Sequence, residues 1–197
     1  MPRKISVKRA SLSFIKEVEA IERFLDVPAI SSLAAENKAW CYDYAIIRLY
    51  QGSEELMLKT IIAAINISPA TISNVTGVLF PRHLSQNVCR YLVVGNGYFD
   101  FKGRNGLIAK LCQYLPKDHP LVRSVKDERL KQSLERLSSL RNLAAHNSVQ
   151  AKRAALKATG QRRLKSSGHW LLKHRRFFKI ANDMKVFGSD LWRSAPY

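Results

Sequence analysis

At 197 residues with 46% apolar side chains, the chain has the length of one domain, or of one domain with a tail, and enough apolar material to bury a core, which excludes an intrinsically disordered protein. Its 33 Lys and Arg against 15 Asp and Glu leave a net charge of +18, so polyanions are the leading class of partner, with nucleic acid ahead of an acidic membrane surface. Cys41, Cys89 and Cys112 are odd in number and form no C-x-x-C pair, which argues against a disulfide framework or a zinc site and fits a reducing cytoplasm; no metal and no cofactor is expected.

The N-terminal MPRKISVKRA is basic, but no unbroken apolar stretch with a small-residue cleavage site follows it, so it does not read as a secretory signal. Leu12, Ile15, Val18 and Ile21 recur every third residue, and Phe24 and Leu25 close the stripe before Pro28, predicting a first helix from about Ser11. A second is expected from about Ser32 through Trp40, Tyr44, Ile47 and Leu49 to Gln51-Gly52. A third starts from an N-cap at Ser53, with Glu54 and Glu55 in its first turn, where acids favour the helix dipole. From Thr60 to Phe80 there is no charge for about the length of a membrane span. The polar load of Asn66, Ser68, Pro69, Thr71, Ser73 and Asn74 disfavours insertion, and no stable membrane insertion is expected. The segment reads instead as a buried helix ending at Ile67, a break at Ser68-Pro69, and a turn or short helix from near Ser73.

Pro81 is expected to open a helix through Leu84, Val88, Tyr91 and Leu92 that ends at Gly95-Asn96-Gly97. Tyr98, Phe99 and Phe101 read as core aromatics or a short strand. Past Gly103 and the Asn105-Gly106 turn signal, Leu107, Ile108, Leu111 and Tyr114 predict a helix halted at Pro116. The longest helix is expected from about Leu121 to Asn147. Its apolar face is Leu130, Leu134, Leu137 and Leu140, and its wet side includes Lys126, Asp127, Glu128, Lys131 and Glu135. A short helix over Gln150 to Thr159 and a basic loop from Gly160 to Gly168 follow. Trp170, Leu171, Phe177, Phe178, Ile180 and Phe187 are apolar enough to return to the core. His83 and His119, beside proline-bearing boundaries, read as surface residues, and the three cysteines as core. Helical stripes throughout, without alternating strands, give an all-α fold class: a single helical domain over 1–197 with a basic C-terminal part at 150–190.

No acidic residue occurs from Arg136 to Asn182. Within that run Lys152, Arg153, Lys157, Arg162, Arg163, Lys165, Lys173, Arg175 and Arg176 are the expected nucleic-acid contacts, with RNA the favoured partner.

The end of the long helix reads Ser138-Ser139-Leu140-Arg141-Asn142-Leu143-Ala144-Ala145-His146-Asn147. Asn142 and His146, four apart, share a helix face; Arg141 lies about 140° round from His146 and roughly 7.5 Å along the axis, a gap that an arginine side chain closes in part. Histidine can give or take a proton near neutral pH, arginine can clamp phosphate oxygens, and asparagine can orient either group. A second spacing of this kind, from Arg162 or Arg163 to His169, crosses the turn-like Lys165-Ser166-Ser167-Gly168 and would not hold both side chains on one helix.

Arg141-Asn142 followed by His146, late in a helical domain, resembles the R-x(4 to 6)-H motif of the HEPN superfamily. The resemblance implies a HEPN-type helical bundle with its core at roughly 30–150. It also implies a metal-independent endoribonuclease with Arg141, Asn142 and His146 as catalytic residues, leaving 2′,3′-cyclic phosphate and 5′-hydroxyl ends. Further implications are a homodimer whose paired motif helices form one composite active site, and a role as a toxin or phage-defence effector. An acidic, antitoxin-like neutralising protein would suit the charge. The alternative is a non-enzymatic basic RNA- or DNA-binding module whose affinity resides in Lys152 to Lys179.

Overall fold

The computed structural model describes residues 5–195, and every regular element within them is a helix. Met1 to Lys4, the start of the basic N-terminal stretch, and Pro196-Tyr197 lie outside the described residues. Helix α1 (Val7–Leu25) starts ahead of Ser11 because the Ser6 hydroxyl accepts from the Arg9 N–H at 3.3 Å and supplies an N-cap. Its inward face is Val7, Ala10, Phe14 and Val18, rotated from the expected stripe, and Leu12 is exposed.

After the short α2 (Pro28–Ser31), α3 (Ala35–Ile67) runs for 33 residues, about 50 Å. The stop expected at Gln51-Gly52 and the cap expected at Ser53 are both absent. Gly52 is buried where α1 crosses: a Cβ there would lie 3.1 Å from a Glu17 carboxylate oxygen and 3.4 Å from the Phe14 ring. The missing side chain thus serves a close approach of two helices, and the chain does not turn. Ser53 donates back to the Leu49 carbonyl at 2.8 Å, the i−4 bond of a helix interior. From Leu56 to Asn66 nearly every side chain is buried, which accounts for the uncharged run. No single helix among the described residues is long and apolar enough to cross a membrane, and α3 meets α4 (Ala70–Thr76) at a 98° bend. Helix α4 begins before the expected Ser73.

Pro81 opens no helix. Helix α5 (Gln86–Val94) begins at a Ser85 cap, and the Leu84 carbonyl ahead of it accepts from the buried Asn66 amide at 2.6 Å. Residues 98–102 form no strand: Phe99 and Phe101 are buried, whereas Tyr98 is 97% exposed and not a core residue. Helix α6 (Gly103–Cys112) contains Asn105-Gly106, which was expected as a turn, because its first N–H groups are satisfied from another helix. Ser138 accepts from Gly103 N–H at 3.2 Å, and Glu135 accepts from Arg104 N–H at 2.9 Å.

The expected long helix is two, α7 (Pro120–Lys126) and α8 (Glu128–His146). Asp127 leaves the helical region at ψ 124, and its side chain accepts from Arg129 N–H at 2.9 Å to cap α8. The buried Arg104 donates to the Val125 carbonyl at 3.0 Å and to that of Lys126, satisfying the last carbonyls of α7. His119 is half-buried, not a surface residue: its ring accepts from Leu121 N–H at 3.2 Å and caps α7. Burial, with Arg123 adding to it and Asp118 opposing, pushes the His119 pKa down.

Helices α9 (Val149–Thr159), α10 (Ser167–Leu172) and α11 (Arg176–Ser194) complete the chain, with a tight 3-10 turn at Lys173–Arg175. Helix α3 is the axis of the all-α bundle: α1, α5, α8 and α10 lie along it, and α11 closes over α1 and α8. One apolar cluster extends from Ala10 to Leu191 and includes Trp170, Leu171, Phe177, Ile180 and Phe187; Phe178 lies at its margin. Cys89 is buried, while Cys41 and Cys112 are only half-buried.

Candidate active site

Helix α8 stops at His146 because Asn147 takes the left-handed conformation, φ 43, and donates to the Leu143 carbonyl at 3.0 Å. Ser148 then caps α9, accepting from Ala151 N–H at 3.1 Å. The reversal opens a cleft of about 460 Å³ lined by Arg141, Asn142 and His146 of α8, by Asp100 and Lys102, and by the first turn of α9. All three motif residues therefore border one concavity. Arg141 and Asn142 are half-buried and His146 is exposed.

Arg141 is held on two sides. Its guanidinium carbon lies 4.5 Å from the centre of the Tyr50 ring, and Nη1 donates to Asn142 Oδ1 at 2.8 Å. His146 makes no hydrogen bond or ion pair among the described residues, so its ring nitrogens are open to the cleft. Arg141 also borders a second cleft of about 410 Å³ with Glu54, Arg90, Tyr98 and Asp100. Asp100, common to both clefts, accepts from the Tyr50 hydroxyl at 2.9 Å, and the Phe101 carbonyl accepts from it too. Burial, then the charges of Glu54 and Asp100, push the Tyr50 hydroxyl pKa up.

Glu54 and Asp100 are the acidic neighbours of Arg141 that motif reading misses. Burial pushes the Glu54 carboxyl up to about 7; the Arg141 charge opposes this, and the charge of Asp100 and a hydrogen bond to it add to it. Protonation of Glu54 therefore favours the folded chain. That contribution is complete below the ordinary 4.5 and is lost as pH rises through about 7. Glu54→Gln, an uncharged mimic, is expected to stabilise the protein at pH 8 by about 1–2 kcal/mol, a value below the full shift because the site is partly solvated and Arg141 attracts the carboxylate. Denaturant unfolding at pH 4 should show no gain.

The basic residues divide among several surfaces. Lys152, Arg153 and Lys157 are exposed on α9, directly after the motif, and Arg162 and Arg163 are exposed in the loop that follows. Lys165 is engaged by Glu36, whose carboxylate also lies 3.3 Å from His169 Nε2. The second Arg-to-His spacing thus joins a loop to α10 and is not a helical pair. Lys173 is exposed, Arg175 stacks on Phe178 at 4.3 Å, and Arg176 is half-buried against Trp170.

The sequence matches no protein-family model, and neither the curated proteins nor the solved structures yield a match.

Proposed function

We propose that the chain is a metal-independent endoribonuclease of the HEPN type, a reading carried by one observation: Arg141, Asn142 and His146 border a single cleft at the end of α8. In this reading the 2′-hydroxyl of a ribose loses its proton to a base and attacks the adjacent phosphorus. The new O2′–P bond replaces the P–O5′ bond, and the departing 5′-oxygen takes up a proton from an acid. The products carry a 2′,3′-cyclic phosphate and a 5′-hydroxyl.

His146 supplies the base or the acid. The Arg141 guanidinium pairs with the non-bridging oxygens as negative charge builds on them, and Asn142 holds that guanidinium in place. Each chain offers one such histidine, so two proton transfers call for two copies of the site, and a homodimer with facing α8 ends would provide them. The exposed cations of α9 would then extend the RNA contact from the cleft. An effector with this activity would need restraint, and an acidic neutralising protein fits the +18 charge.

The test is end-labelled RNA incubated with purified protein in EDTA, followed by a phosphatase able to open cyclic phosphates. The expected result is cleavage into fragments whose 3′ ends change mobility after that treatment. RNA that is bound but remains intact would favour the non-enzymatic binding module. In that case log K should fall with log salt by about 0.7–0.9 per phosphate contacted.

A further inference from the structure

A cleft of about 710 Å³, larger than either cleft at Arg141 and sharing no lining residue with them, lies between α8, the end of α9, α10 and α11. Two guanidinium groups converge in it. Arg136 of α8 and Arg176 of α11 lie 5.4 Å and 4.6 Å from the centre of the same Trp170 ring. Neither forms an ion pair among the described residues: Arg136 Nε donates to the Ala158 carbonyl at 3.4 Å, and Arg176 Nη1 to the Trp170 carbonyl at 3.3 Å. Asp183, the carboxylate of the cleft, accepts instead from the Ser133 hydroxyl.

Burial and then the charge of Arg176 push the Arg136 pKa down, with Asp183 opposing. Arg175 and Lys179 add positive charge to the same walls. Trp170, only 6% exposed, keeps a buried indole N–H without a partner. Two half-buried like charges with no carboxylate joining them cost the fold energy that a bound anion would remove. Both guanidinium groups sit over the indole, and each keeps N–H donors beyond the one it gives to a backbone carbonyl, donors of the kind that match phosphate oxygens. The volume suits an organic ligand better than a bare ion.

We propose that this cleft binds the phosphate of a nucleotide at Arg136 and Arg176, with Gln132, Gln161 and Asn182 facing the rest of the ligand. The nucleotide is either free or part of an RNA strand; only the second source rests on the ribonuclease reading.

The test is calorimetric titration of wild type, Arg136→Gln, Arg176→Gln and His146→Ala with adenosine 5′-monophosphate, inorganic phosphate and a short single-stranded RNA, with thermal midpoints measured alongside. Wild type and His146→Ala should bind the mononucleotide equally, and each arginine variant at least tenfold more weakly. The thermal midpoint of Arg136→Gln should hold or rise, because a repulsion is removed. Weakening for mononucleotide alone assigns a free nucleotide, and weakening for RNA as well assigns a nucleotide of the strand. Because His146→Ala is included, loss of cleavage with retained mononucleotide binding leaves this site standing. A lowered midpoint in Arg136→Gln with unchanged nucleotide binding would make Arg136 a mere stacking partner of Trp170 and overturn the proposal. So would absence of mononucleotide binding in wild type, or inorganic phosphate bound as tightly as the mononucleotide.

Discussion

His146→Ala is expected to lower RNA cleavage at least a hundredfold while leaving the unfolding midpoint and RNA affinity close to wild type. The side chain is exposed and makes no hydrogen bond or ion pair among the described residues, so its removal leaves neither a cavity nor an orphaned partner. Alanine also suits the last helical turn, so the end of α8 keeps its helical propensity. Arg141→Ala is a poorer probe, because it also removes the contact with the Tyr50 ring and the positive charge that acts on the Glu54 carboxyl. A proton-transfer role makes the loss fall on kcat, whereas a contact residue would raise KM. Measured in EDTA with end-labelled RNA, undiminished cleavage by the histidine variant would move the chemistry away from the end of α8.

The grouping of the three candidate residues is more legible in sequence than the elements carrying them. Arg141, Asn142 and His146 stand in one local segment, so a single helix end suffices to bring them together. Their acidic neighbourhood was not legible, because Glu54 arrives from α3 and Asp100 from an irregular segment, and only the folded chain sets them beside Arg141. Errors in the elements share that origin. Gly52 marks a helix crossing, a role indistinguishable by composition from a stop. The start of α6 is capped by Glu135 and Ser138, more than thirty residues away in sequence. The break between α7 and α8 leaves the apolar period almost intact, and Arg104 from α6 makes it tolerable. The all-α class could be read because stripe periodicity is local; caps borrowed from other helices are not.

Gly168→Ala is the substitution with the largest expected effect on stability. A Cβ at this position would lie 1.8 Å from the Ala39 carbonyl oxygen and 2.6 Å from its carbon, both backbone atoms of α3. No rotamer change can relieve such a clash, so α10 would have to lift from α3. Lifting breaks the 2.6 Å bond from Gly168 N–H to Asp43, whose carboxyl is already pushed up by burial and would lose a compensating donor. It also strains the bond from the buried Ser167 hydroxyl to the Leu140 carbonyl, 2.8 Å, which ties α10 to α8 one residue before Arg141. Overpacking together with a lost charge-assisted bond gives about 4 kcal/mol, a large part of an ordinary domain's stability. For a chain of this length that lowers the thermal midpoint by roughly 10 °C. Gly77→Ala is the control: its φ of +71 carries the backbone strain of a left-handed residue, but nothing lies within 4 Å of the added methyl, and about 1 kcal/mol should be lost. Equal losses in the two variants would mean that α10 separates from α3 at little cost. Trp170 would then be a mobile wall of the proposed nucleotide cleft, and nucleotide should raise the midpoint of Gly168→Ala by less than that of wild type, because only the closed fraction binds.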